Sequence, residues 1–310
     1  MKRILLSITL ITAVLVAFSC GGPKVPAGSA AKSLAILKDP STKKVLVAAH
    51  RGDWRNYPEN SIPAIESLIR MGADIMELDV KMTSDSVLVL CHDSKVDRTT
   101  NGKGPVSSYT LDSLKRLRLK RAHGVTTDSL HMPTLEEALL VCKDRILVNV
   151  DQGSQWFPQV IAVAEKVGCS DQILFKKGGT RAQTTEFGKS VVEAGMTFMP
   201  IVSIDAQGSS PTIDSYLDGG PMPEIFEVCF SKDNELTEAK IRQLSKAGTK
   251  IWVNSIWGSL CGYLDDDRAY QSQQDADLCY GKLIDLGFKV FQTDRPEYLL
   301  QYLRKRNLHD

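Results

Sequence analysis

An alternation of strand-like and helix-like segments, repeated about eight times, is the feature of this sequence that most restricts its fold. Short apolar runs such as KVLVAA (44–49) and RILVNVD (145–151) are followed by amphipathic stretches such as SIPAIESLIRMG (61–72) and PQVIAVAEKVG (158–168). This order is typical of a parallel sheet with crossover helices, and the number of repeats favours a closed sheet. The sequence therefore predicts an α/β fold, a (β/α)8 TIM-type barrel.

One segment, 81–133, interrupts the alternation after the second predicted strand. The run VLVLCHD (87–93) follows that strand after only about half a dozen residues, whereas a parallel crossover needs roughly a dozen or more. The polar, turn-rich stretch that comes next contains one short predicted helix, at 111–118. We expect 81–133 to be a small insertion within a catalytic barrel that spans 44–310.

The N-terminus has the pattern of a bacterial export signal. Lys2 and Arg3 precede an apolar run that ends at Cys20, where a lipoprotein signal is cleaved and the cysteine is lipidated. The alternative is an uncleaved anchor, although the run is shorter than the ~20 residues of a spanning helix. We predict a signal peptide at 1–20, a flexible tether at 21–43, and a lipoprotein held in the membrane through Cys20, in the bacterial periplasm or at the cell surface.

The net charge and the cysteine content limit which binding partners and which disulfides the sequence predicts. The formal net charge is +1, so the basic face typical of nucleic-acid binding is not indicated. Of the seven cysteines, the six after Cys20 lack close metal-type spacing. Cys261 and Cys279 flank a polar loop and are the candidate pair for a disulfide in an oxidising compartment. Nothing in the sequence sets the oligomeric state.

Polar and ionisable side chains recur where the predicted strands end. In a (β/α)8 barrel the carboxyl ends of the strands converge on one mouth, where catalytic groups gather. We therefore expect these residues, although scattered along the chain, to meet in space. They are His50, Glu77, Asp79, His92, Asp93, Asn149, Asp151, Lys176, Glu227, Asn254 and Asp294.

A cluster of carboxylates among them suggests a metal. Glu77 and Asp79 lie two positions apart in a strand, so both side chains point to one face. Two buried like charges repel each other, and a divalent cation with oxygen ligands, Mg²⁺ or Ca²⁺, removes that repulsion. Asp151 would supply a third carboxylate. The residues alone leave an alternative open, in which the carboxylates pair with Arg51 or Lys176 and no metal is bound.

Two histidines and an arginine complete a set suited to chemistry at phosphorus. His50 and His92 each end a strand beside an ionisable residue, and paired histidines serve as general acid and base near neutral pH. A single histidine is more often held by backbone partners, but two at one mouth favour catalysis. Arg51 offers a planar fork for a phosphate or a carboxylate. Together with a cation, these groups suit displacement at a phosphoryl centre.

Ordered motifs fill residues 49–117 and reappear near the C-terminus. They include HRG (50–52), PENS (58–61), GADIMELDV (72–80), HD (92–93), RTTNGKGPV (98–106) and GFKVFQTDRPEYLL (287–300). This order closely resembles the glycerophosphodiester phosphodiesterase family, at both ends of the domain. The resemblance implies a (β/α)8 barrel with a small insertion after the second strand. It also implies hydrolysis of a glycerophosphodiester to glycerol phosphate and an alcohol, through a cyclic phosphate.

The resemblance also implies roles for residues. The family's catalytic histidines match His50 and His92, its phosphate-binding arginine matches Arg51, and its metal carboxylates match Glu77 and Asp79. Its third carboxylate lies in an N-x-E-x-K strand, which here reads NVDQG (149–153).

Asp151 therefore replaces the glutamate of that strand, and the lysine is missing. We expect Lys176 to compensate from the next strand. The late strand IWVNSIWG (251–258) keeps Asn254, and it places Trp252 and Trp257 near the mouth, where they contact a substrate head group or only pack.

The expected function, as the resemblance implies, is metal-dependent hydrolysis of glycerophosphodiesters to glycerol phosphate and an alcohol by histidine acid–base catalysis. A related enzyme acting on a lysophospholipid or on a phosphodiester-linked glycan remains an alternative. A non-catalytic binding lipoprotein of the same fold is a second alternative; the altered stretch around Asp151 favours it, and the retained His50, His92, Glu77 and Asp79 speak against it.

Overall fold

Eight parallel strands close into a barrel in the computed structural model, which describes residues 29–310. The strands are β1 Leu46–His50, β2 Ile75–Met82, β3 Leu88–Leu90, β4 Leu147–Asp151, β5 Ile173–Gly178, β6 Thr197–Ile204, β7 Ile225–Phe230, β8 Lys250–Asn254 and β9 Val290–Thr293. They pair in the order β1-β9-β8-β7-β6-β5-β4-β2, and pairing of β1 with β2 closes the ring. The predicted (β/α)8 barrel is confirmed.

Helices cover the outside of the barrel and its two ends. They are α1 Ser29–Lys38, α2 Ile62–Met71, α3 Leu111–Lys115, α4 Leu135–Cys142, α5 Phe157–Val167, α6 Arg181–Glu193, α7 Pro211–Leu217, α8 Glu235–Ser245, α9 Gly258–Cys261, α10 Asp266–Ala269, α11 Gln273–Ala276, α12 Lys282–Leu286 and α13 Pro296–Arg304. Local signals fix their ends. Ser61 caps α2 by accepting a hydrogen bond from the Ala64 N–H, and Gly72 ends it with a left-handed φ of 79°.

An apolar layer inside the barrel forms the floor of its mouth. Trp252, which is fully buried, is the largest side chain in this layer. A second, larger cluster packs between the outer faces of the strands and the helices. Because the interior is filled by side chains in this way, the barrel is a packed core and leaves polar groups at the carboxyl ends of the strands. The inward layer comprises Leu46, Ala48, Ile75, Leu147, Leu174, Met199, Ile225, Trp252 and Val290.

The segment after β2 departs from the barrel, as the sequence predicted. The short strand β3 pairs antiparallel with the end of β2, with Val80 opposite Leu90. The rest of the insertion has its own small apolar cluster, built around Val96, Val106 and Leu114. Its helix α3 ends at Lys115, three residues before the predicted boundary.

The prediction of a flexible tether over 21–43 is wrong for residues 29–38. These residues form α1, which buries Ala30 and Leu37 against the inward apolar layer at the bottom of the barrel. Ser33 Oγ also donates a hydrogen bond to Asp74 Oδ1 at 2.8 Å. The segment has a small-residue composition typical of linkers, but its apolar positions are spaced for one helical face.

The predicted signal peptide at 1–20, with Cys20 and the first part of the tether, lies outside the described residues. Among residues 29–310, no helix is both long enough and apolar enough to cross a membrane. The six cysteines of this part are free thiols, so the suggested disulfide between Cys261 and Cys279 is not formed.

Candidate active site

The strand register brings the predicted carboxylates and the first histidine to one rim of the barrel. His50 lies opposite Glu77 in the β1–β2 pair. Asp79 lies opposite Asp151 in the β2–β4 pair. Since parallel strands in register turn paired side chains to the same side, these four groups share the inside of the mouth.

Glu77, Asp79 and Asp151 form a compact acidic triad. One carboxylate oxygen from each lies within 4.8 Å of the others. Glu77 and Asp79 are buried. Burial first, and the charges of Asp79 and Asp151 second, raise the pKa of Glu77 well above its usual range. The triad thus concentrates negative charge at a site with little solvent to screen it.

Hydrogen bonds orient two of these carboxylates and leave one oxygen free. The Arg51 N–H donates to Glu77 Oε2 at 2.9 Å, while Glu77 Oε1 is buried without a hydrogen-bond partner in the described residues. Asp79 Oδ2 accepts from Asn60 Nδ2 at 2.9 Å, and Oδ1 accepts from Gln152 Nε2 at 3.0 Å. An unpartnered buried oxygen among three hard oxygen donors fits a divalent cation such as Ca²⁺ or Mg²⁺.

His50 is held by a carboxylate from the last strand's end. Its Nδ1 lies 2.8 Å from Asp294 Oδ1, and the same oxygen accepts a hydrogen bond from Trp54 Nε1 at 2.7 Å. The Trp257 ring packs edge-on against the His50 ring, with centroids 5.7 Å apart. With Nδ1 engaged in this way, Nε2 is the atom of His50 that is available for proton transfer.

His92 lies at the same mouth and has a similar partner. Gln152 Nε2 donates to the His92 carbonyl oxygen at 3.2 Å as well as to Asp79, which ties the loop after β3 to the triad. His92 Nδ1 lies 2.7 Å from Asp93 Oδ1. Arg98 donates to both oxygens of Asp93, at 2.8 and 3.0 Å. Both histidines therefore present the same ring edge to a carboxylate.

Arg51 lies between the triad and the loop that follows β1. Its backbone is in the left-handed region, with φ at 58°, and this turn aims its N–H at Glu77. Its Nε is buried 3.6 Å from Asp79 Oδ2 and has no hydrogen-bond partner in the described residues. Its Nη1 donates to Glu59 Oε1 at 3.3 Å. The guanidinium thus keeps a free donor beside the carboxylates.

Lys176 lies within reach of the triad, as the sequence suggested. Its Nζ is 3.5 Å from Asp151 Oδ2 and 3.1 Å from Glu227 Oε2. Burial disfavours the charged lysine, but Glu227 and Asp151 outweigh that effect and raise its pKa above the usual range. Glu227 Oε1 in turn accepts from Asn254 Nδ2 at 2.9 Å. An ordered chain of charges therefore lines one side of the mouth.

For Trp252 the structure rules out contact with a substrate and leaves packing, the other of the two predicted roles. Trp252 is fully buried in the apolar floor, and its indole N–H donates to Asn254 Oδ1 at 2.8 Å. It supports Asn254 from below and offers no surface to a ligand. Trp257 has 51% of its surface exposed and packs beside His50. It is the tryptophan of this segment that faces the mouth.

Three residues that organise the mouth were not predicted to lie there: Asn60 and Gln152 hold Asp79, and Arg98 holds Asp93. Asp294 was predicted at the mouth, but its contact with His50 was not. Asn60 lies in the PENS motif (58–61) and Asp294 lies in TDRP (293–296), so the motifs indicated that both segments matter. They did not indicate which side chains these two residues contact. Gln152 and Arg98 are long, flexible side chains whose contacts depend on loops.

Fold and site together define a (β/α)8-barrel protein with an acidic triad and two histidines, each held by a carboxylate, at its mouth. Residues 50–202 match the glycerophosphoryl diester phosphodiesterase family, and residues 198–303 match a domain of unknown function. Over residues 50–202 the chain thus belongs to the glycerophosphodiester phosphodiesterase family, which its motifs resemble.

Curated relatives support this membership for the N-terminal part of the chain. The chain is 45% identical over 109 residues to a glycerophosphodiester phosphodiesterase of Caldanaerobacter subterraneus subsp. tengcongensis, covering 35% of this chain and 45% of that protein. It is 37% identical over 122 residues to a putative glycerophosphodiester phosphodiesterase of Bacillus subtilis, covering 39% and 49%. The matched region spans about half the length of these relatives.

Solved structures support the fold over nearly the whole barrel. A glycerophosphoryl diester phosphodiesterase from Parabacteroides distasonis superposes with a TM-score of 0.72 at 22% identity, covering 89% of this chain and 92% of that one. An Oleispira antarctica phosphodiesterase in complex with its product sn-glycerol-3-phosphate gives 0.58 at 18% identity, covering 84% and 96%. At these identities the likeness shows the fold alone.

Proposed function

We propose that the protein hydrolyses glycerophosphodiesters to glycerol phosphate and an alcohol, with a divalent cation and two histidines. One observation supports this proposal most strongly: the acidic triad, His50 and His92 lie at the same mouth of the barrel. Relatives named as glycerophosphodiester phosphodiesterases, and a structural neighbour that binds sn-glycerol-3-phosphate, favour the same substrate class.

Glu77, Asp79 and Asp151 would hold the cation, Ca²⁺ or Mg²⁺. When bound, such an ion polarises the phosphoryl oxygens and offsets the charge that develops on them. Arg51 has a free Nε beside Asp79, so it can donate to a phosphoryl oxygen at the same place. Lys176 adds a second fixed positive charge on the opposite flank, beside Asp151.

The two histidines move the protons. Nε2 of one histidine takes the proton from the attacking glycerol hydroxyl, while Nε2 of the other donates a proton to the leaving alcohol. The histidine that acts as base gains positive charge, whereas the one that acts as acid begins protonated and becomes neutral. In both, the carboxylate partner, Asp294 for His50 and Asp93 for His92, stabilises the protonated ring. A water then opens the cyclic phosphate with the proton roles exchanged.

A release assay tests this proposal. Purified protein is incubated with a panel of glycerophosphodiesters, with added Mg²⁺ or Ca²⁺ and with a chelator, and glycerol phosphate is measured. We expect hydrolysis with metal, its loss with chelator, and its loss in His50→Ala and His92→Ala, each with unchanged melting behaviour. Undiminished turnover in His50→Ala refutes the histidine role, and turnover that survives chelation refutes the cation role.

The same assay separates the alternatives. Release from a lysophospholipid or a phosphodiester glycan, with none from glycerophosphodiesters, identifies the related phosphodiesterase. Tight binding of a glycerophosphodiester without turnover identifies a non-catalytic binding protein.

We also propose export and lipidation at Cys20, because a charged start and an apolar run precede that cysteine. Metabolic labelling with palmitate checks this location. We expect label in the wild-type protein and none in Cys20→Ser. Equal labelling of both proteins rules the anchor out.

A further inference from the structure

The rim of the mouth carries a small polar cavity that the proposed reaction does not use. It has a volume of about 70 Å³ and lies between the loop after β1 and the insertion. Trp54 and Glu59 line it from the loop, and Arg98, Lys120 and Arg121 line it from the insertion. Three of these five side chains are cations, so the cavity is chemically suited to an anion.

Two side chains that line the cavity also donate hydrogen bonds to the carboxylates that hold His50 and His92. Trp54 Nε1 donates to Asp294 Oδ1, the oxygen that contacts His50. Arg98 donates to Asp93, the carboxylate that contacts His92. A substrate whose phosphorus lies between the histidines therefore has this cavity as a neighbour on the insertion side.

Two of the three cations have no carboxylate partner in residues 29–310. Lys120 Nζ donates to the Asp97 carbonyl oxygen at 3.0 Å, and Arg121 Nη1 donates to the Asn56 carbonyl oxygen at 3.2 Å. Arg98 is different, because it is shared by Glu59 and Asp93. Glu59, the carboxylate of the lining, also accepts from Arg51. The positive charge of Lys120 and Arg121 is thus left for a ligand.

The backbone around these two residues is braced. The Lys120 N–H donates to the Thr99 carbonyl at 2.8 Å, and Lys120 bridges Thr126 across the hairpin. The Arg121 N–H donates to Val125 O at 2.9 Å. The Arg121 side chain also crosses to the loop after β1. The backbone of both residues is therefore fixed beside the cavity, and each side chain has one hydrogen bond to a carbonyl oxygen, which reduces the entropy lost when they bind an anion.

We propose that this cavity is a second anion subsite, which binds a negatively charged group on the alcohol portion of the substrate. The inference rests on the proposed function and names its substrate class: glycerophosphodiesters whose alcohol carries a further phosphate or carboxylate. Lys120 and Arg121 bind that group as specificity residues, while the reaction at phosphorus is unchanged. The cavity's small volume admits a group of only a few heavy atoms.

The experiment compares two substrates that differ only in this charge. One has glycerol as its alcohol, and the other has glycerol phosphate. We expect wild type to favour the second in kcat/KM by about tenfold. The double substitution Lys120→Gln with Arg121→Gln should reduce this preference to less than about twofold while leaving kcat on the neutral substrate unchanged.

A matched control removes the same charge elsewhere in the insertion. Lys95 and Lys103 are exposed and lie outside the cavity lining. The double substitution Lys95→Gln with Lys103→Gln should keep the preference. An equal loss in both double variants means that only the long-range field of the insertion matters, and this overturns the subsite. A wild type without preference also overturns it.

Failure of the proposed function is distinguishable from failure of the subsite. If neither substrate is hydrolysed, the proposed function fails, and calorimetry with the same two compounds decides the subsite. Tighter binding of the phosphate-bearing compound, weakened in Lys120→Gln with Arg121→Gln and kept in the control, then supports it. Equal binding of the two compounds by wild type refutes it.

Discussion

Nδ1 of His50 lies 2.8 Å from Oδ1 of Asp294, a residue 244 positions further along the chain. This contact joins the ends of β1 and β9, and it fixes the ring so that Nε2 faces the mouth. It also places a negative charge beside the histidine to which the proposed mechanism assigns a proton transfer.

Asp294→Asn should therefore lower kcat by about 100-fold or more with little change in KM, because the amide cannot stabilise an imidazolium. The control is Trp54→Phe, which removes the other hydrogen bond to the same carboxylate oxygen and should cost much less. Steady-state kinetics of the two variants check this. Equal losses in both would mean that Asp294 acts only by holding the loop.

Removal of one triad carboxylate should weaken cation binding at the proposed site. Glu77→Gln keeps the side chain's shape but removes the charge of the residue whose Oε1 has no partner in the described residues. We expect its affinity for Mg²⁺ or Ca²⁺ to fall by about 100-fold or more. Calorimetry on the metal-free protein measures this. Glu136→Gln, a change of the same kind on an outer helix, should bind the ion as wild type does.

Much of this mouth was predictable, and the reason is periodicity. Glu77 and Asp79 share a face because side chains alternate along a strand, and Asp151 follows from the next strand's end. The same reasoning failed for Trp252. Trp252 and Asn254 both point into the barrel. The alternation of side chains predicts this direction, but it does not predict how deep in the barrel a side chain lies. Trp252 lies one layer below Asn254.

The features that could not be predicted depend on contacts between segments that are far apart in the sequence. The partners of His50 and His92, and the position of Lys120 over the mouth, are set by loops from distant parts of the chain. The helix α1 was missed because residues rich in alanine and serine fit both a linker and a short helix, and packing against the barrel decides between them.

Asp266 should make stability depend on pH. It is fully buried beneath the Asp294 loop and accepts hydrogen bonds from Ser255, Tyr280, Thr293 and the Asp294 N–H. Burial is the largest effect on its pKa and raises it to about 7 from 3.8, against the hydrogen bonds. The folded state therefore binds a proton that the unfolded state has released between about pH 4 and pH 7, so stability falls as pH rises through that window.

In Asp266→Asn the contribution of this carboxyl should be lost, so the slope should become clearly shallower than in wild type, whatever the offset in stability at a single pH. Urea unfolding from pH 4.5 to 8 measures the free energy of unfolding of both proteins. Asp265→Asn, a change at the neighbouring position, should keep the wild-type slope. Parallel pH profiles for wild type and Asp266→Asn would contradict the assigned titration.

The packing of α1 predicts that its apolar face contributes to stability. Leu37 is 1% exposed against the bottom of the barrel. Leu37→Ala should lower the free energy of unfolding by about 2–4 kcal/mol, from lost burial and a residual cavity. Lys38→Ala, an exposed change on the same helix, should alter it by less than about 0.5 kcal/mol. A Leu37→Ala protein as stable as wild type would restore the view of this segment as a tether.

Lys176 and Glu227 should depend on each other for stability. Both are buried, and Lys176 Nζ lies 3.1 Å from Glu227 Oε2. Lys176→Met leaves Glu227 as an unneutralised buried charge and Asp151 as a half-buried one, so it should cost about 3–5 kcal/mol. In the double variant Lys176→Met with Glu227→Gln, one of those charges is also gone, and most of that loss should be recovered.

A double-mutant cycle by urea unfolding, run without added metal, measures the coupling between the two side chains. Kinetics of the same double variant separate stability from function. If Lys176 also contacts the phosphoryl group, KM should rise although the fold is restored. If the two single substitutions add without coupling, the buried ion pair does not hold this side of the mouth together.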